Sequence, residues 1–498
     1  MSSIRYALVA MGLVACSTFG AADAPEPTPT PDVPGAGDAG DDATDPIVGV
    51  PLGCDPDAEP QQSPSCVVDA YGIFVDPTAG DDTHVGSKAG PVKTIAAALA
   101  KLRGRKRIYL CDGALDEHVK LRTAVSLYGG FACQTWSYNA KRVRVAPHDI
   151  GYALHVDEVP DGVVISDMDF ASASGTEAAP SSVAAFVYNS PKITLRRVTL
   201  TAQNGAKGAK GVGGKAGYLV TSTPVAGTPN APTAPVVTSG SMVGASGQSC
   251  TCSNGGASSG GDGGKNLGAA ARIGKNGAPA QAVPTPEGAD GAGVPLNVVA
   301  HPGSDAPQGG NGGGADGSSD VTAEGLYSPP GVDGIDGPPG QGGGGAGYFA
   351  ASGAFAAGGG GGCGGCGGHK GTAGKGGGAS VALVALSSPV RLEQCALTSG
   401  NAGDGGDGGA GGDGLPGGLG GPVADAFAKP GGNGGHGGAG GAGGGGAGGV
   451  TAGLVYKGAK PTVQATIATG SLGAKGLGGA PGVNDGLDGL KVDTLAIP

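Results

Sequence analysis

Glycine recurs at every third position over long stretches of this chain: Gly205, Gly208, Gly211, Gly214 and Gly217; Gly400, Gly403, Gly406, Gly409 and Gly412; Gly470, Gly473, Gly476, Gly479 and Gly482. A period of three is that of an extended threefold helix, and a glycine on every third residue lets one backbone approach another closely. The stretch from Gly331 to Gly340 is collagen-like, but most other triplets lack proline, which argues against a three-chain collagen. We favour an intramolecular bundle of polyglycine-type helices. Disorder competes with it, because glycine loses so much entropy on ordering.

The chain has 498 residues with 109 Gly and 37 Pro, a level that usually signals low complexity. The glycines are concentrated after residue 203, whereas residues 67 to 200 read as an ordinary globular sequence able to bury a core. A second, apolar spacing also repeats. Val163, Ile165, Met168 and Phe170 match Ile193, Leu195, Val198 and Leu200, and again Val390, Leu392, Cys395 and Leu397. Two residues alternate, a two-residue gap bends the chain, and two more alternate, as in two short strands meeting at a corner. Each block follows another apolar strand, near Leu154, Phe186 and Leu383. Three strands per coil make the rung of a parallel β-helix, and residues 452 to 469 read as a weaker further copy. Each glycine run starts just after the last strand of a rung, so stacked rungs would lay the runs side by side.

Tyr71-Gly72-Ile73-Phe74-Val75-Asp76, Gly80-Asp81-Asp82 and Lys93-Thr94-Ile95-Ala96-Ala97-Ala98-Leu99 resemble the N-terminal cap of bacterial surface proteins with a right-handed parallel β-helix, the pectate-lyase-like architecture. The resemblance implies an all-β fold: a right-handed parallel β-helix with an N-terminal capping helix and extruded glycine-rich loops. Thr94 is placed to cap a helix running to about Leu102. The run Gly431 to Gly449 also resembles the glycine-rich surface proteins of mycobacteria, without their N-terminal helical domain.

A basic residue, Arg5, precedes an uncharged run from Tyr6 to Ala15 that is too short to span a bilayer, the pattern of a cleaved export signal. Leu13-Val14-Ala15-Cys16 resembles a bacterial lipobox, which implies acylation of Cys16 and attachment to a membrane. Ser17 in place of an aspartate implies sorting to the outer membrane, with the body facing outward. An ordinary signal peptide cut near Ala21-Ala22 is the competing reading. The ten cysteines read as disulfides in an exported chain. Local pairing would join Cys54 to Cys66, Cys111 to Cys133, Cys250 to Cys252 and Cys363 to Cys366, leaving Cys395 over. Cys250, Cys252, Cys363 and Cys366 as four zinc thiolates are the alternative.

These readings divide the chain into a signal peptide (1–15), a Pro- and Asp-rich lipid-anchored tether (16–64), a cap with first rungs (65–204), a glycine-rich insertion (205–380), a rung (381–399), a second insertion (400–450), a rung (451–469) and a glycine-rich C-terminal segment (470–498). The net charge of −11 argues against nucleic acid as a partner. The basic cluster Arg103 to Arg107 reads as completing the C-terminal end of the helix. Asp76, Asp81 and Asp82 suit turns, with calcium as the rival reading. Gly408 to Pro416 fits one copy of the calcium-binding nonapeptide of secreted toxins, and one copy does not make a shared site. Asp167 and Asp169 beside Arg196 and Arg197 are the acid and base candidates, and Gly435-His436-Gly437 resembles a short glycosidase motif. No catalytic, cofactor or metal residues are assigned. The leading expectation is a non-enzymatic envelope lipoprotein with a structural, adhesive or carbohydrate-contact role, whose partners are the membrane and a surface polysaccharide. A polysaccharide lyase or hydrolase is the alternative.

Overall fold

The computed structural model describes residues 49–218, 236–238, 241–264, 274–279, 300–317, 319–323, 325–347, 349–351, 354–422 and 429–498. Cys16 and the export signal lie outside the described residues. The described fold is almost entirely β. Its first strands are β1 (Gly72–Val75), β2 (Arg107–Cys111), β3 (Ala114–Leu115), β4 (Val119–Leu121), β5 (Ser126–Phe131), β6 (Val143–Val145), β7 (Leu154–Asp157), β8 (Val163–Ser166), β9 (Met168–Ala171), β10 (Ser182–Tyr188), β11 (Ile193–Arg196) and β12 (Thr199–Thr201). Four antiparallel hairpins follow: β13–β14 (Val236–Thr238, Ser241–Val243), β15–β16 (Ser249–Thr251, Ala257–Ser259), β17–β18 (Asp320–Thr322, Gly325–Tyr327) and β19–β20 (Phe349–Ala351, Ala354–Ala356). The last strands are β21 (Ser380–Leu386), β22 (Arg391–Thr398), β23 (Thr451–Lys457), β24 (Thr462–Ala468) and β25 (Lys491–Ile497).

The long strands pair in parallel. One sheet runs β4-β7-β10-β21-β23-β25, and the other joins β1-β2-β5-β8-β11 to β12-β9-β6-β3 through the long β22, which β24 also pairs. The repeated spacing read from the sequence is the register of this stack. Ile165 pairs Leu195, which pairs Leu392, and Phe170 pairs Leu200, which pairs Leu397. The two-residue gap is a corner at which Asp167, Arg197 and Gln394 adopt φ of 57°, 52° and 54°. One left-handed residue per rung turns the chain at this corner, as Glu158, Asn189 and Ser387 do at the preceding one, and the apolar residues on either side point into one buried core. Ser182 to Tyr188 and Ser380 to Leu386 pair residue for residue although 191 residues lie between the two strands, so the first insertion leaves the stack and returns in register.

The α-helix α1 (Ile95–Ala100) has Thr94 as its N-cap, whose side chain accepts the Ala97 N–H, and it buries Ile95 and Ala98 in the same core. It ends two residues before the expected Leu102, where the Arg105 side chain takes the carbonyls of Lys101 and Leu102.

The glycine runs are ordered and hydrogen-bonded to one another with a strict three-residue step. Gly205, Gly208, Gly211, Gly214 and Gly217 donate to the carbonyls of Asn401, Asp404, Asp407, Ala410 and Asp413. Ala402, Gly405 and Gly408 in turn donate to Ser471, Ala474 and Leu477, so the runs leaving successive rungs lie side by side as the repeat predicts. The 331–346 run, whose first part, Gly331 to Gly340, the sequence likens to collagen, is one member of the same bundle, donating to the 359–374 segment. Glycine density follows the number of neighbours. The 205–217 run, bonded to two runs, needs glycine only at every third position. The 431–449 run exchanges hydrogen bonds with six runs (300–315, 331–346, 360–378, 403–418, 473–479 and 484–490) and is glycine at 14 of its 19 positions. A Cβ built on Gly440 would lie 2.1 Å from the His369 carbonyl oxygen, and one on Gly443 2.1 Å from that of Thr372. The unpaired amides at the bundle's edge are taken by Asx side chains: Ser471, Ala474 and Leu477 donate to Asn401, Asp404 and Asp407.

Three expectations need correction. Cys250 pairs with Cys363 and Cys252 with Cys366, not within each local pair. Residues two apart on a strand share a face, as do residues three apart on a threefold helix, so hairpin β15–β16 is fastened twice to the 360–378 run. Peptide mapping without reduction is expected to recover fragments joined across more than 100 residues at these four cysteines. Recovery of Cys250 linked to Cys252 would contradict the arrangement. The tether expected over 16–64 ends earlier, because the Cys54–Cys66 bridge and the buried Glu59 fix that part to the body. The segment expected as glycine-rich over 470–498 ends in β25, whose Val492, Leu495 and Ile497 pack on the second core cluster.

Candidate functional site

The acid and base candidates meet around one corner of the stack. Arg197 bonds the Asp167 carboxylate through Nε and Nη2 at 2.8 and 2.7 Å and reaches Glu59 at 2.9 Å. Arg196 joins Glu59 at 3.2 Å and Glu393 at 2.5 Å. Tyr138 donates to Asp167 at 3.2 Å. Burial pushes the Glu59 carboxyl up, but the hydrogen bond and charge of Arg197, with the charge of Arg196, more than offset it and hold Glu59 below the usual glutamate range. Asp169 stands apart, paired with Arg142 at 3.4 Å. The space between Glu59, Tyr138, Asp167 and Arg197 has no room for a water molecule. These charges hold the N-terminal segment against the stack. Glu59, the member that ties them together, went unnoticed in the sequence because it sits among residues that read as tether.

The aspartates considered for calcium are engaged with the backbone. Asp76 accepts the N–H groups of Thr78 and Ala79, Asp81 those of the Thr83 amide and hydroxyl, and Asp82 those of Lys93 and Thr94. Asp76 lies close to Cys111 and Cys133, but these sulfurs are joined to each other as expected and are not thiolates. Trp136 packs beside that crosslink, edge-on to Phe74. The four cysteines read alternatively as a zinc set are likewise oxidised in two disulfides, and Cys395 is free and buried. His436 is bound into the bundle: its amide donates to Asp305 and its Nδ1 lies 2.8 Å from the Gly437 carbonyl.

A cavity of about 610 Å3 opens between the first sheet, the β17–β18 hairpin and the end of the 360–378 run. Tyr152 forms one wall, stacked on Phe186 with ring centroids 5.0 Å apart, and burial raises its hydroxyl pKa. Val183 and Leu326 line the floor, the exposed Tyr327 stands on the hairpin, and Glu177 and Lys375 are at the rim. Aromatic faces with a few polar groups are the composition of a binding cleft for a small or extended ligand. No sequence signal marked Tyr327, because its hairpin is brought to Tyr152 only by the folding of the intervening glycine runs. Among the described residues no helix is long and apolar enough to cross a membrane. No family model matches the chain, and no curated protein or solved structure matches it.

Proposed function

We propose that this chain is an exported lipoprotein of the cell envelope, anchored through Cys16 at the outer membrane, whose rigid body makes a structural and adhesive contact with a surface polysaccharide. In this reading the parallel sheets form a right-handed, pectate-lyase-like β-helix closed at its N-terminal end by α1, and the glycine bundle braces one side of it. The observation that carries the proposal is the aromatic cleft between Tyr152 and Tyr327, set in a scaffold whose described strands and glycine runs are hydrogen-bonded to one another. Three of the acid and base candidates singled out in the sequence, Asp167, Arg196 and Arg197, are engaged in ion pairs that hold the fold together, which favours contact over the lyase or hydrolase alternative.

The test is retention of labelled envelope polysaccharides by the full-length protein, compared with Tyr152→Ala and Tyr327→Ala, together with sizing of the polysaccharide after incubation. Binding that falls about tenfold in each variant, with the polymer length unchanged, is expected; loss of an aromatic platform is worth roughly 1–2 kcal/mol. Shortening of the polysaccharide, or binding indifferent to both tyrosines, contradicts the proposal.

A further inference from the structure

The basic cluster that follows α1 does more than finish the helix. Arg105 does finish it: its guanidinium donates to the carbonyls of Leu102, Lys101, Asp69 and Gly72 at 3.0, 2.8, 3.1 and 3.4 Å. Those four bonds fix the group in place without neutralising it, because all the acceptors are carbonyls, and they leave one of its five N–H groups unspent. Arg107 turns inward, buried between the rings of Tyr71 and Tyr128. Lys101 and Arg103 form no ion pair among the described residues. Together with Arg105 they line a cavity of about 260 Å3 whose other walls include His84, Ser87 and Asp69. Asp69 is the single carboxylate there, and it already accepts the Lys88 N–H at 2.7 Å. Ser87 Oγ accepts the Gly90 N–H, which frees its own proton to point elsewhere. In a chain of net charge −11, three cations converging on one cavity against one carboxylate are a local inversion of the field.

The backbone is held to this arrangement at a cost. Arg103 sits at φ 44° and Gly104 at φ 80°, two successive residues in the left-handed region, and a side chain as large as arginine rarely adopts it. This turn sets Arg103 beside Lys101 and Arg105, although like charges repel, and burial with the charge of Arg103 lowers the Arg105 pKa.

We propose that the cavity formed by Lys101, Arg103, Arg105 and Ser87 binds a phosphate group. A tetrahedral oxyanion accepts from several donors at once and offsets the mutual repulsion of the cations, which a neutral ligand does not. Two sources share this chemistry, free phosphate and the headgroup of an anionic lipid. The lipid source rests on the anchored reading, since a tethered body works within reach of a membrane surface.

The full-length chain carrying Cys16→Ser, so that no acyl chain contributes, is titrated with inorganic phosphate and with phosphatidylcholine vesicles with and without phosphatidylglycerol. Saturable phosphate binding is expected, together with capture only by vesicles that contain phosphatidylglycerol, competed by phosphate. Each of Lys101→Ala and Arg103→Gly is expected to weaken both about tenfold. Arg103→Gly is the decisive variant, because glycine eases the φ of 44° and preserves the fold while removing the charge. Phosphate binding without vesicle capture supports the site and assigns it to a soluble ligand. Binding of neither, or binding unchanged in both variants, overturns the proposal. Lipid labelling of wild-type Cys16 is scored separately: an unlabelled Cys16 removes the anchored reading and leaves the phosphate titration standing.

Discussion

Replacing Gly312 by alanine is expected to destabilise the body by about 3 kcal/mol, while the same change at the adjacent Gly313 is neutral or slightly stabilising. A Cβ on Gly312 would lie 1.9 Å from the Val332 carbonyl oxygen and 2.5 Å from that of Asp333, whereas one on Gly313 meets nothing within 4 Å. Overpacking in an ordinary core is relieved by a rotamer change. Here the obstructing atoms are backbone held by their own hydrogen bonds, Val332 N–H to Gly313 and Gly444 N–H to Val332, so relief requires moving three runs at once. Neither glycine has a positive φ, so alanine meets no local strain and the pair isolates the distance between runs as the cause. Gly440→Ala, whose Cβ would lie 2.1 Å from the His369 carbonyl oxygen, is expected to lose a similar amount to Gly312→Ala. Thermal unfolding and protease resistance of the three variants check this. Equal behaviour of Gly312→Ala and Gly313→Ala would remove the close-packed bundle.

Arg197→Ala is expected to cost about 3–5 kcal/mol at neutral pH, the largest effect of any side-chain truncation outside the apolar core. It removes the cation paired with Asp167 and one of the two paired with Glu59, carboxylates 5% and 6% exposed, and loosens the segment around Cys54–Cys66 from the rung corner. Its pH dependence has a definite sign. Because the native Glu59 pKa is depressed, its stabilisation is present above the unfolded carboxylate range and is lost as pH falls through the native value. In the variant the buried carboxyls gain by protonation instead. The gap between the two proteins is therefore expected to be widest near neutrality and to narrow below about pH 4 in denaturant titrations. A gap independent of pH would mean that Arg197 acts through packing alone.

How far the sequence could be read depended on whether an interaction is periodic. The apolar spacing from Val163 to Phe170 repeats because each rung must place inward residues over the last, and it gave the register of β8, β11 and β22 residue by residue. The glycine period gave the side-by-side runs for the same reason, and glycine density even encodes how many neighbours a run has. What remained hidden was non-periodic and long-range. The crossed pairs Cys250–Cys363 and Cys252–Cys366 depend on where a hairpin lands after the chain has run out and back, so proximity in sequence misled. Glu59 looked like part of a solvated tether, since nothing near it in the chain announces Arg196 and Arg197. The cleft pairs Tyr152, next to a strand that the repeat revealed, with Tyr327, on a hairpin that it did not. Arg103 and Arg105 belonged to a cluster whose helix-ending role was legible, while their convergence with Lys101 on a cavity was not.

The central claim is that the glycine runs form one hydrogen-bonded bundle continuous with the parallel sheets, and backbone amide hydrogen exchange across residues 431–449 tests it most directly. The account predicts that amides such as Gly437, Gly440 and Gly443, which donate to Leu415, Gly412 and Gly409, exchange as slowly as those of β21. Exchange across that run at the rate of an unstructured glycine-rich peptide would contradict it.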